Sequence, residues 1–377
     1  MLLPNKTMPL TQQRKKVVLL LPTLHLGGAE RVTLNLLNGE LASQFDLRLW
    51  AIRREGFLSD QIPSTIPTTD LRAHGTISAL IRLIHEIRLQ KPSVLISCLT
   101  PANVLAILAV RLAHQSTRVA VVEHGSILTH KGGRSGLEKV LPWLQKQTYR
   151  YADQVVAVSK GLAGEISRNT GVPLASVQVL YNPVIRPDFE ARAAETVSLP
   201  WTQCKNHFVV AMVGRLEAVK DPLLAIKAVA ALRRRLDCKF LILGDGSLRS
   251  KTEQAIKDLG LSEHAHVMGS ISNPLPYLKL ANVLLMTSHT EALPTALIEA
   301  RALGLPVVAT DCDWGPRELE KSLGQVTLVR DRNPEQIADA LHALQFRPKS
   351  FPSTQTLVPF REAQAERAYA SLIESMC

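Results

Sequence analysis

Runs of consecutive apolar residues alternate along the chain with longer stretches in which apolar residues recur every three or four positions. In the first half, the apolar runs cover 17–22, 46–52, 93–98, 118–124, 154–159 and 178–183. The helically spaced stretches cover 29–43, 77–90, 102–114 and 160–170. A short continuous apolar run predicts a strand buried on both faces. Helices between such strands predict a parallel sheet that is covered on both sides.

The second half repeats this alternation. Its predicted strands cover 207–214, 239–246, 266–270, 282–288 and 306–311, and its predicted helices cover 222–236, 247–259, 295–303 and 334–344. Prolines break the pattern between the halves, near 184–206, and a segment rich in Pro, Ser and Thr at 345–358 precedes a last helix. We therefore predict an α/β chain with two Rossmann-like, doubly wound parallel-sheet domains that face a cleft. The predicted domains are 1–186 and 187–360, with a C-terminal helix in 361–377 that packs back on the first domain.

The charge of the chain is concentrated in its first half. Hydrophobic residues make up 46% and charged residues 20%, which is ordinary for a globular chain and excludes a disordered, collagen-like or coiled-coil protein. The net charge is +11, and residues 1–186 carry all of it, with 22 basic and 11 acidic residues. Such asymmetry indicates an anionic partner for the first domain: a membrane surface, a phosphorylated substrate or nucleic acid. A solvated basic face is the alternative.

The five cysteines are odd in number and widely spaced, which is typical neither of a disulfide framework nor of a zinc site. They favour a reducing cytoplasm. The charges at the start of the chain follow its short apolar patch, whereas a signal peptide has them before it. The most apolar window, 94–113, contains polar residues, so no spanning helix is expected. Contact with a membrane would then be peripheral.

Candidate ligand-binding residues are those that directly follow strands, because ligands of open α/β sheets bind there and the cleft between two such domains is the default site. Gly27 and Gly28 follow the first strand and open a helix, where the backbone and free N–H groups can approach an anion. They do not form a full Gly-x-Gly-x-x-Gly fingerprint, so a dinucleotide cofactor is not indicated. His124 ends a strand and can point into the cleft. A tight turn and a structural histidine are the respective alternatives.

The second domain carries the more specific pattern. Arg215 and Lys220 follow the strand at 207–214 and suit a diphosphate without a metal ion, although solvated surface cations are the alternative. Glu291 lies in a loop and Glu299 on the helix that follows. The N–H groups around 294–296 belong to the start of that helix. Two carboxylates beside an anion-binding helix end would match a sugar, a diphosphate and a ribose.

These segments resemble the motifs of retaining glycosyltransferase family 4, which has the GT-B fold. The resemblance covers about 16–345. It rests on SHTEALPTALIEARALGLPVVATD with its paired glutamates, VGRLEAVKDPLLAIKAVAAL with its Arg and Lys, LPTLHLGGAERVTLNL, VVAVSKGL and YNPV, in the family's order. It implies an enzyme of the kind that assembles bacterial polysaccharide or lipopolysaccharide, with an acceptor domain followed by a nucleotide-sugar donor domain.

The resemblance also implies roles for individual residues. The catalytic residues would be Glu291, His124, Arg215 and Lys220. The donor would be bound by Gly27, Gly28, Arg215, Lys220, Met268, Gly269, Glu291, Leu293, Pro294, Thr295 and Glu299. Among these residues, the two cations would bind the diphosphate and Glu299 the ribose. Glu291 and the catalytic His124 would contact the transferred sugar, and the main chain at 268–269 the nucleobase.

Three features depart from the family's pattern or need separate weighing. Ala292 stands where the family usually has Gly, and Arg301 where an apolar residue is common. The segment ATDCDWGPREL resembles a family variant with Gly-Pro-x-Glu after the last strand. Asp311 and Asp313 form an Asp-x-Asp, which holds a divalent metal in another glycosyltransferase fold. Because short patterns recur by chance and two Rossmann-like halves oppose that other fold, no metal or other cofactor is expected.

The expected reaction follows from the charges. Departure of the nucleoside diphosphate places negative charge on the leaving group, which Arg215, Lys220 and a helix N-terminus would stabilise. Retaining glycosidases use two close carboxylates, and no equivalent pair is evident. Retention is implied by the family alone. The family is generally viewed as reacting on one face of the sugar, with the departing phosphate taking the acceptor's proton. A UDP-sugar is the expected donor.

The stretch 129–154 combines basic residues with Trp and Leu, as interfacial segments do. Lys131, Arg134, Lys139 and Trp143 are its candidate contacts with an anionic membrane or with the acceptor. We expect a lipid-linked or polysaccharide acceptor at the inner face of the cytoplasmic membrane. An amphipathic core helix with a solvated face is the alternative.

Two other functions remain open from the sequence. A GT-B sugar-nucleotide epimerase would share the donor site, and a non-catalytic module would bind a nucleotide-sugar or a nucleic acid. Aromatic residues make up only 5% and no nucleic-acid motif is present, so nucleic acid is not an expected partner.

Overall fold

The computed structural model describes residues 14–25, 27–125, 137–201 and 207–377, without the side chains of Phe57 and 137–139. Two parallel sheets, of seven and six strands, dominate these residues. The predicted fold class is therefore confirmed, and nearly every apolar run singled out in the sequence is a strand.

The first sheet has the strand order β3-β2-β1-β4-β5-β6-β7. Its strands are β1 Lys16–Leu21, β2 Asp46–Ala51, β3 Thr68–Asp70, β4 Val94–Cys98, β5 Arg118–Glu123, β6 Gln154–Ala157 and β7 Val177–Val179. Strand β1 pairs in parallel with β2 and with β4. Both β1 and β4 are almost wholly buried, as their continuous apolar sequences predict.

The helices of the first half connect these strands. They are α1 Gly28–Asn38, α2 Leu41–Gln44, α3 Thr76–Gln90, α4 Thr100–Ala113, α5 Leu137–Thr148, α6 Lys160–Thr170 and α7 Phe189–Ala193. The helix predicted at 29–43 is interrupted at Gly39, which caps the C-terminus of α1. Pro101 lies in the first turn of α4, where its missing N–H costs no helical hydrogen bond.

The second sheet has the order β10-β9-β8-β11-β13-β15. Its strands are β8 Phe208–Val213, β9 Cys238–Leu243, β10 Ala265–Val267, β11 Val283–Met286, β13 Val307–Thr310 and β15 Val326–Val329. Two short strands, β12 Thr290–Glu291 and β14 Asp313–Trp314, pair with each other outside this sheet. The helices are α8 Pro222–Arg233, α9 Arg249–Asp258, α10 Leu275–Leu280, α11 Thr295–Ala302, α12 Gly315–Leu323, α13 Pro334–His342, α14 Thr354–Leu357 and α15 Glu362–Ser375.

The core of the second half lies between this sheet and the helices α8 and α13. Val210, Phe240 and Leu285 from the strands pack with Val229 of α8 and Leu341 of α13, and all five are fully buried. Full burial of one such side chain stabilises the fold by about 1.5–3 kcal/mol. The core holds the central strands rigid, so the loops at their carboxyl ends have a fixed base.

Contacts divide the chain into two compact units. The described parts of 1–121, 151–153 and 370–377 form one, and those of 122–150 and 154–369 form the other. In the first unit, the Nζ of Lys15 donates to the carbonyl of Cys377 at 3.3 Å. The domain bounds given by the sequence remain a prediction. Within the described residues, no helix is both long and apolar enough to span a bilayer.

Several short elements were not predicted from the sequence: β3, α10, α12 and β15, and also α7, α14, β12 and β14. β3 is a three-residue edge strand, and β15 has only four residues. α10 has six residues and follows a proline. In α12 the buried leucines are only Leu319 and Leu323, too few to establish a helical period.

Candidate active site

The order of the second sheet reverses between β8 and β11, its two central strands. In doubly wound sheets a ligand binds at such a point, beyond the carboxyl ends of the strands. The segments that follow these two strands are 214–221, called here the Lys220 loop, and 287–291, called here the Glu291 loop. Both carry residues that the sequence predicts to contact a sugar diphosphate.

An ion pair joins the two loops. The Nζ of Lys220 lies 2.5 Å from Oε1 of Glu291, and the Ser288 hydroxyl donates to the same oxygen at 2.6 Å. Glu291 is only 8% exposed. A buried carboxylate without partners would cost several kcal/mol, so Lys220 and Ser288 are needed to keep Glu291 in place. The structure thus brings together two of the predicted catalytic residues.

Arg215 lies in the Lys220 loop directly after Gly214. Gly214 has φ +147, a backbone conformation that only glycine adopts readily, so the chain turns sharply at the end of β8. The Arg215 side chain is exposed, and within the described residues it forms no ion pair. Arg215 is therefore a second cation on the Lys220 loop. Its exposed guanidinium could bind those oxygens of an anion that face solvent.

The helix α11 begins beside Glu291 without a side-chain cap. Pro294 is its N-cap residue, and its carbonyl accepts from the N–H groups of Leu297 and Ile298. The N–H groups of the first turn, including that of Thr295, have no acceptor within a helix. They make this end of α11 suitable for an anion. Leu293 and Pro294 are buried and fix the entry into the helix.

Gly315 supports this loop from behind. A Cβ on Gly315 would overlap the ring of Pro294 and lie 2.9 Å from the carbonyl oxygen of Ala292. Only glycine therefore allows the start of α12 to approach the loop so closely. This residue belongs to the Gly-Pro-x-Glu segment that the sequence analysis singled out.

The glutamate of that segment, Glu318, binds the start of another helix. Its carboxylate accepts from the backbone N–H groups of Lys160 at 2.9 Å and Gly161 at 3.4 Å, and from the Tyr181 hydroxyl at 2.5 Å. Burial, together with the hydrogen bond and charge of Glu318, raises the pKa of Tyr181 above its ordinary range. Glu318 therefore satisfies the N-terminus of α6 as an anionic partner.

The remaining donor residues of the second sheet lie on neighbouring elements. Glu299 is partly buried on α11, one turn beyond Thr295. Gly269 follows β10 with φ +75 and forms a bridge with Gly244, while the N–H of Met268 donates to the carbonyl of Ile242. Their roles toward ribose and base remain predictions.

His124 directly follows β5 of the first sheet. Both of its ring nitrogens are shielded from solvent and have no hydrogen-bond partner within the described residues. Burial lowers the pKa of His124 to about 4, so the imidazole is neutral at pH 7. A neutral ring offers one donor and one acceptor to a hydroxyl group. The adjacent Glu123 is 1% exposed and accepts from Gln145 and Tyr149.

The Gly27–Gly28 turn follows β1, one of the two strands between which the order of the first sheet reverses. Gly27 is the N-cap residue of α1 and has no side-chain cap. A Cβ on Gly27 would overlap the carboxylate of Glu30, which is buried in the first turn of α1. The glycine therefore makes room for a carboxylate, a feature that the sequence analysis did not foresee.

The Asp-x-Asp sequence is already engaged by an arginine. The guanidinium of Arg317 donates to both carboxylate oxygens of Asp311, at 2.6 and 3.3 Å, and lies 3.9 Å from Asp313. Within the part of the chain that is described, no three His, Cys, Asp or Glu side chains come together as metal ligands would.

The predicted membrane segment is described only in part. Lys131 and Arg134 lie outside the described residues, and so does the side chain of Lys139. Trp143 of α5 is 59% exposed, and Val140 is exposed beside it. These two apolar side chains face solvent, as an interfacial helix requires.

Both departures from the family's pattern have a structural explanation. Ala292 is buried and has a negative φ, so its position does not require glycine. Arg301 is 1% exposed and donates to the carbonyls of Leu305, Leu323 and Ser350. Burial lowers its pKa to about 10. Arg301 thus ties the end of α11 to neighbouring segments.

Family models for glycosyltransferases match both halves of the chain. The model "Glycosyltransferase Family 4" matches 26–185, and "Glycosyl transferases group 1" matches 201–349. Together they cover most of the sequence. The chain therefore belongs to the glycosyltransferases that these two models describe, and its fold is GT-B.

Two similar proteins come from Campylobacter jejuni. The chain is 31% identical over 219 residues to N-acetylgalactosamine-N,N'-diacetylbacillosaminyl-diphospho-undecaprenol 4-alpha-N-acetylgalactosaminyltransferase, covering 58% of this chain and 57% of that protein. It is 26% identical over 317 residues to GalNAc-alpha-(1->4)-GalNAc-alpha-(1->3)-diNAcBac-PP-undecaprenol alpha-1,4-N-acetyl-D-galactosaminyltransferase, covering 81% and 82%. The match therefore spans less than two thirds of the first of these relatives.

A solved structure supports the fold. The structure of Anabaena HepE in complex with UDP-glucose superimposes with a TM-score of 0.76 at 17% identity, covering 96% of this chain and 99% of that one.

Proposed function

We propose that this chain transfers a sugar, with retention of configuration, from a UDP-sugar to a lipid-linked or polysaccharide acceptor in cell-surface glycan assembly. The observation that carries this proposal is the Lys220–Glu291 pair beside the uncapped start of α11, at the point where the second sheet reverses its order. An ammonium and a carboxylate from the two loops, followed by the N–H groups at the start of α11, suit a sugar diphosphate.

The negative charge of the leaving group is the first requirement of this reaction. The bond between C1 of the sugar and the β-phosphate oxygen breaks, and its electron pair goes to the diphosphate. Lys220, Arg215 and the N–H groups at the start of α11 stabilise that charge. Lys220 then exchanges part of its contact with Glu291 for a phosphate oxygen. Glu291 is left facing the sugar, whose C1 gains positive character.

The acceptor completes the reaction on the same face of the sugar. Its hydroxyl oxygen bonds to C1, and its proton passes to the phosphate oxygen that leaves. His124 takes part as a neutral imidazole, because burial lowers its pKa to about 4. It can therefore hydrogen-bond a sugar hydroxyl without adding a positive charge near C1.

We assign the nucleoside to residues on α11 and to the backbone after β10. Glu299 binds the ribose hydroxyls and the backbone at Met268–Gly269 meets the base. The UDP-glucose in the HepE structure supports uridine as the base by analogy of fold. The acceptor class is supported by the Campylobacter relatives, whose names specify glycans on undecaprenol diphosphate.

No divalent metal is needed in this mechanism. Arg317 already neutralises Asp311, and the cations of the Lys220 loop supply the positive charge at the diphosphate. We expect initial rates in EDTA to equal those in Mg²⁺ or Mn²⁺ within about twofold. A loss of activity in EDTA that Mn²⁺ alone restores would contradict this part of the proposal.

Transfer is tested with UDP-glucose, UDP-galactose, UDP-GlcNAc and UDP-GalNAc as donors and undecaprenol-diphosphate-linked saccharides as acceptors. We expect one donor to release UDP in proportion to a new glycolipid, and NMR of the product to show an α-linkage from the α-configured donor. A β-linkage would contradict retention. Conversion of the donor to another UDP-sugar without transfer would indicate an epimerase instead.

Peripheral attachment to an anionic membrane is the last part of the proposal, with α5 as the contact. Co-sedimentation with phosphatidylglycerol vesicles at low salt is expected to weaken in Trp143→Ser, and in the triple change of Lys131, Arg134 and Lys139 to Ala. The matched control is Phe346→Ser, because Phe346 is an 88% exposed aromatic residue outside this segment. Equal binding of all variants would contradict this assignment.

A further inference from the structure

The Lys220 loop and the Glu291 loop are joined by more than their ion pair. The hydroxyl of Thr287 donates to the carbonyl of Lys220 at 3.0 Å and to that of Asp221 at 2.8 Å. The N–H of His289 donates to the carbonyl of Val219 at 2.8 Å. The distance between Lys220 and Glu291 therefore depends on how these two backbones are held together.

A third loop, after the edge strand β15, contributes Arg332 to the same place. Its Nη2 donates to Oδ2 of Asp221 at 2.6 Å and to the carbonyl of Thr287 at 2.8 Å, and its Nη1 donates to the carbonyl of Ser288 at 3.0 Å. Arg332 thus reaches past β13 to the loops after β11 and β8, which lie two and three strands from β15, or about 10 and 14 Å at the usual strand spacing. One guanidinium binds the residue after Lys220 and the two residues that begin the Glu291 loop.

Asp221 and Ser288, two of the residues that Arg332 contacts, also make other hydrogen bonds that fix their positions. Asp221 has φ +46, and its Oδ1 caps α8 by accepting from the N–H of Leu224 at 3.1 Å. Ser288 is 3% exposed and donates to Glu291. Its carbonyl also accepts from the Thr310 hydroxyl at 2.6 Å. Movement at either contact of Arg332 would be passed directly to Lys220 or to Glu291.

We propose that Arg332 is a positioning residue for sugar transfer, which sets the placement of Lys220 relative to Glu291 without touching the donor. This inference rests on the proposed function. A planar guanidinium can bind a carboxylate and two carbonyls at once, whereas a lysine presents a single point charge. The geometry of the fork matters more than its charge, because Arg332 is 31% exposed and an exposed ion pair alone contributes little.

The proposal predicts a specific kinetic pattern. Lys220 acts most strongly on charge that develops in the transition state, so its misplacement lowers kcat. The ribose and base contacts lie outside these loops, so the KM for the donor changes little. A displacement of about 1 Å can cost on the order of 10²-fold in rate. We expect Arg332→Ala to lower kcat about 10–100-fold with KM for the donor within threefold of the wild type.

The experiment compares steady-state kinetics of the wild type, Arg332→Ala, Arg332→Lys and Asp221→Asn, using the donor selected from the UDP-sugar panel. Arg330→Ala is the matched control, since Arg330 is an exposed arginine on the same loop. Added guanidinium should restore part of the kcat of Arg332→Ala and leave Arg330→Ala unchanged. Arg332→Lys keeps the charge but not the planar fork, so it should also have a lowered kcat. This variant keeps the test possible if Arg332→Ala fails to fold.

The outcomes separate this inference from the proposed function. Absence of transfer by the wild type would contradict both. Transfer by the wild type, with kcat of Arg332→Lys within twofold of it, would contradict the positioning role alone. A rise in KM with unchanged kcat would also overturn it, because that pattern indicates lost ground-state binding. Non-additive effects of Arg332→Lys and Asp221→Asn in the double variant are expected, and additive effects would contradict a shared contact.

Discussion

The two sheets share the same order around their central strands but differ in the side chains at the strand ends. In the second sheet, β8 and β11 are followed by charged groups, with Lys220 and Glu291 paired at 2.5 Å. In the first sheet, β1 is followed by Gly27 and Gly28, and β4 by the buried Thr100. The histidine after β5 is neutral at pH 7 because burial lowers its pKa.

The fold alone provides a ligand position in each sheet, whereas the side chains at the strand ends decide which ligand suits it. Both sheets offer a ligand position where their strand order reverses. Both positions have an uncapped helix start and a buried carboxylate, which is Glu291 in the second sheet and Glu30 in the first. Among the described residues, only the second position adds a lysine paired with its carboxylate, and a cation is the group that a diphosphate needs most. In the first sheet, the described residues that follow β1 up to Glu30, and β4 up to Asn103, include no Lys or Arg. A carboxylate, neutral polar groups and glycine remain there, and these suit hydroxyl groups. We therefore expect changes in the second sheet to affect nucleotide binding and chemistry, and changes in the first to spare nucleotide binding. Any contact of Gly27 and Gly28 with the donor would then be with the transferred sugar.

The largest effect is expected from Lys220→Ala. This change removes a cation from the diphosphate and leaves the buried Glu291 without its ionic partner. Loss of one such electrostatic contact typically costs 10²–10³-fold in rate, and we expect kcat to fall by about that factor. Steady-state kinetics and UDP titration calorimetry measure the effect. Lys227→Ala, an exposed lysine on α8, is the control and should behave like the wild type. If Lys220→Ala kept the kcat of the wild type, the proposal that the charged groups of the second sheet carry the chemistry would be contradicted.

The next effect concerns pH and His124. Its pKa is lowered from 6.5 to about 4 by burial, so the unfolded chain binds a proton more readily than the folded one. The stability associated with the neutral ring is complete above pH 6.5 and is lost as pH falls toward 4. The expected loss is about 3 kcal/mol of unfolding free energy, at about 1.36 kcal/mol per pKa unit. Denaturant unfolding of the wild type and His124→Gln should diverge over this window.

Histidine NMR provides the complementary check of that prediction. The His124 resonance, assigned by its absence in His124→Gln, should not titrate above about pH 5. A midpoint near 6.5 would mean that the ring is solvated, and that the end of β5 carries a positive charge at mildly acidic pH.

The smallest effect is expected from Gly27→Ala. Its new Cβ would displace the Glu30 carboxylate, which is the movable end of a side chain, so the turn should survive. We expect transfer to fall about tenfold and UDP affinity to stay unchanged. Gly75→Ala is the control, because Gly75 is also an N-cap glycine and no described atom lies within 4 Å of the place its Cβ would take. If Gly27→Ala also lowered the affinity for UDP by about tenfold, the proposal that only the second sheet binds the nucleotide would be contradicted.

The sequence predicted the sheets and the strand ends because both have local signals. Continuous apolar runs define buried strands such as β1 and β8, and polar or glycine residues directly after them mark their carboxyl ends. Arg215, Lys220 and Glu291 were found in this way and through their motifs. The distance between Lys220 and Glu291 was not predictable, since it depends on two loops whose paired residues are 71 positions apart.

The supporting residues had no such signal. Arg332 follows β15, a four-residue strand that the sequence analysis missed, and its partners lie on two other loops. Thr287 and Ser288 stood inside a predicted strand, although they belong to the loop after β11. Arg301 departs from an apolar pattern, and only the structure reveals the carbonyls that satisfy its buried guanidinium. Long polar side chains that bridge distant loops are therefore the part of this site that sequence patterns do not specify.

Thermal shift with UDP, GDP, ADP and their sugar derivatives in EDTA tests most directly the central claim that the strand ends of the second sheet bind a nucleotide-sugar. A ligand at about 100-fold over its Kd stabilises by about 2.7 kcal/mol. We predict that the uridine series raises Tm, and that Glu299→Ala and Lys220→Ala each reduce the rise. The claim would be contradicted if no nucleotide raised the Tm of the wild type, or if both variants showed the same rise in Tm as the wild type.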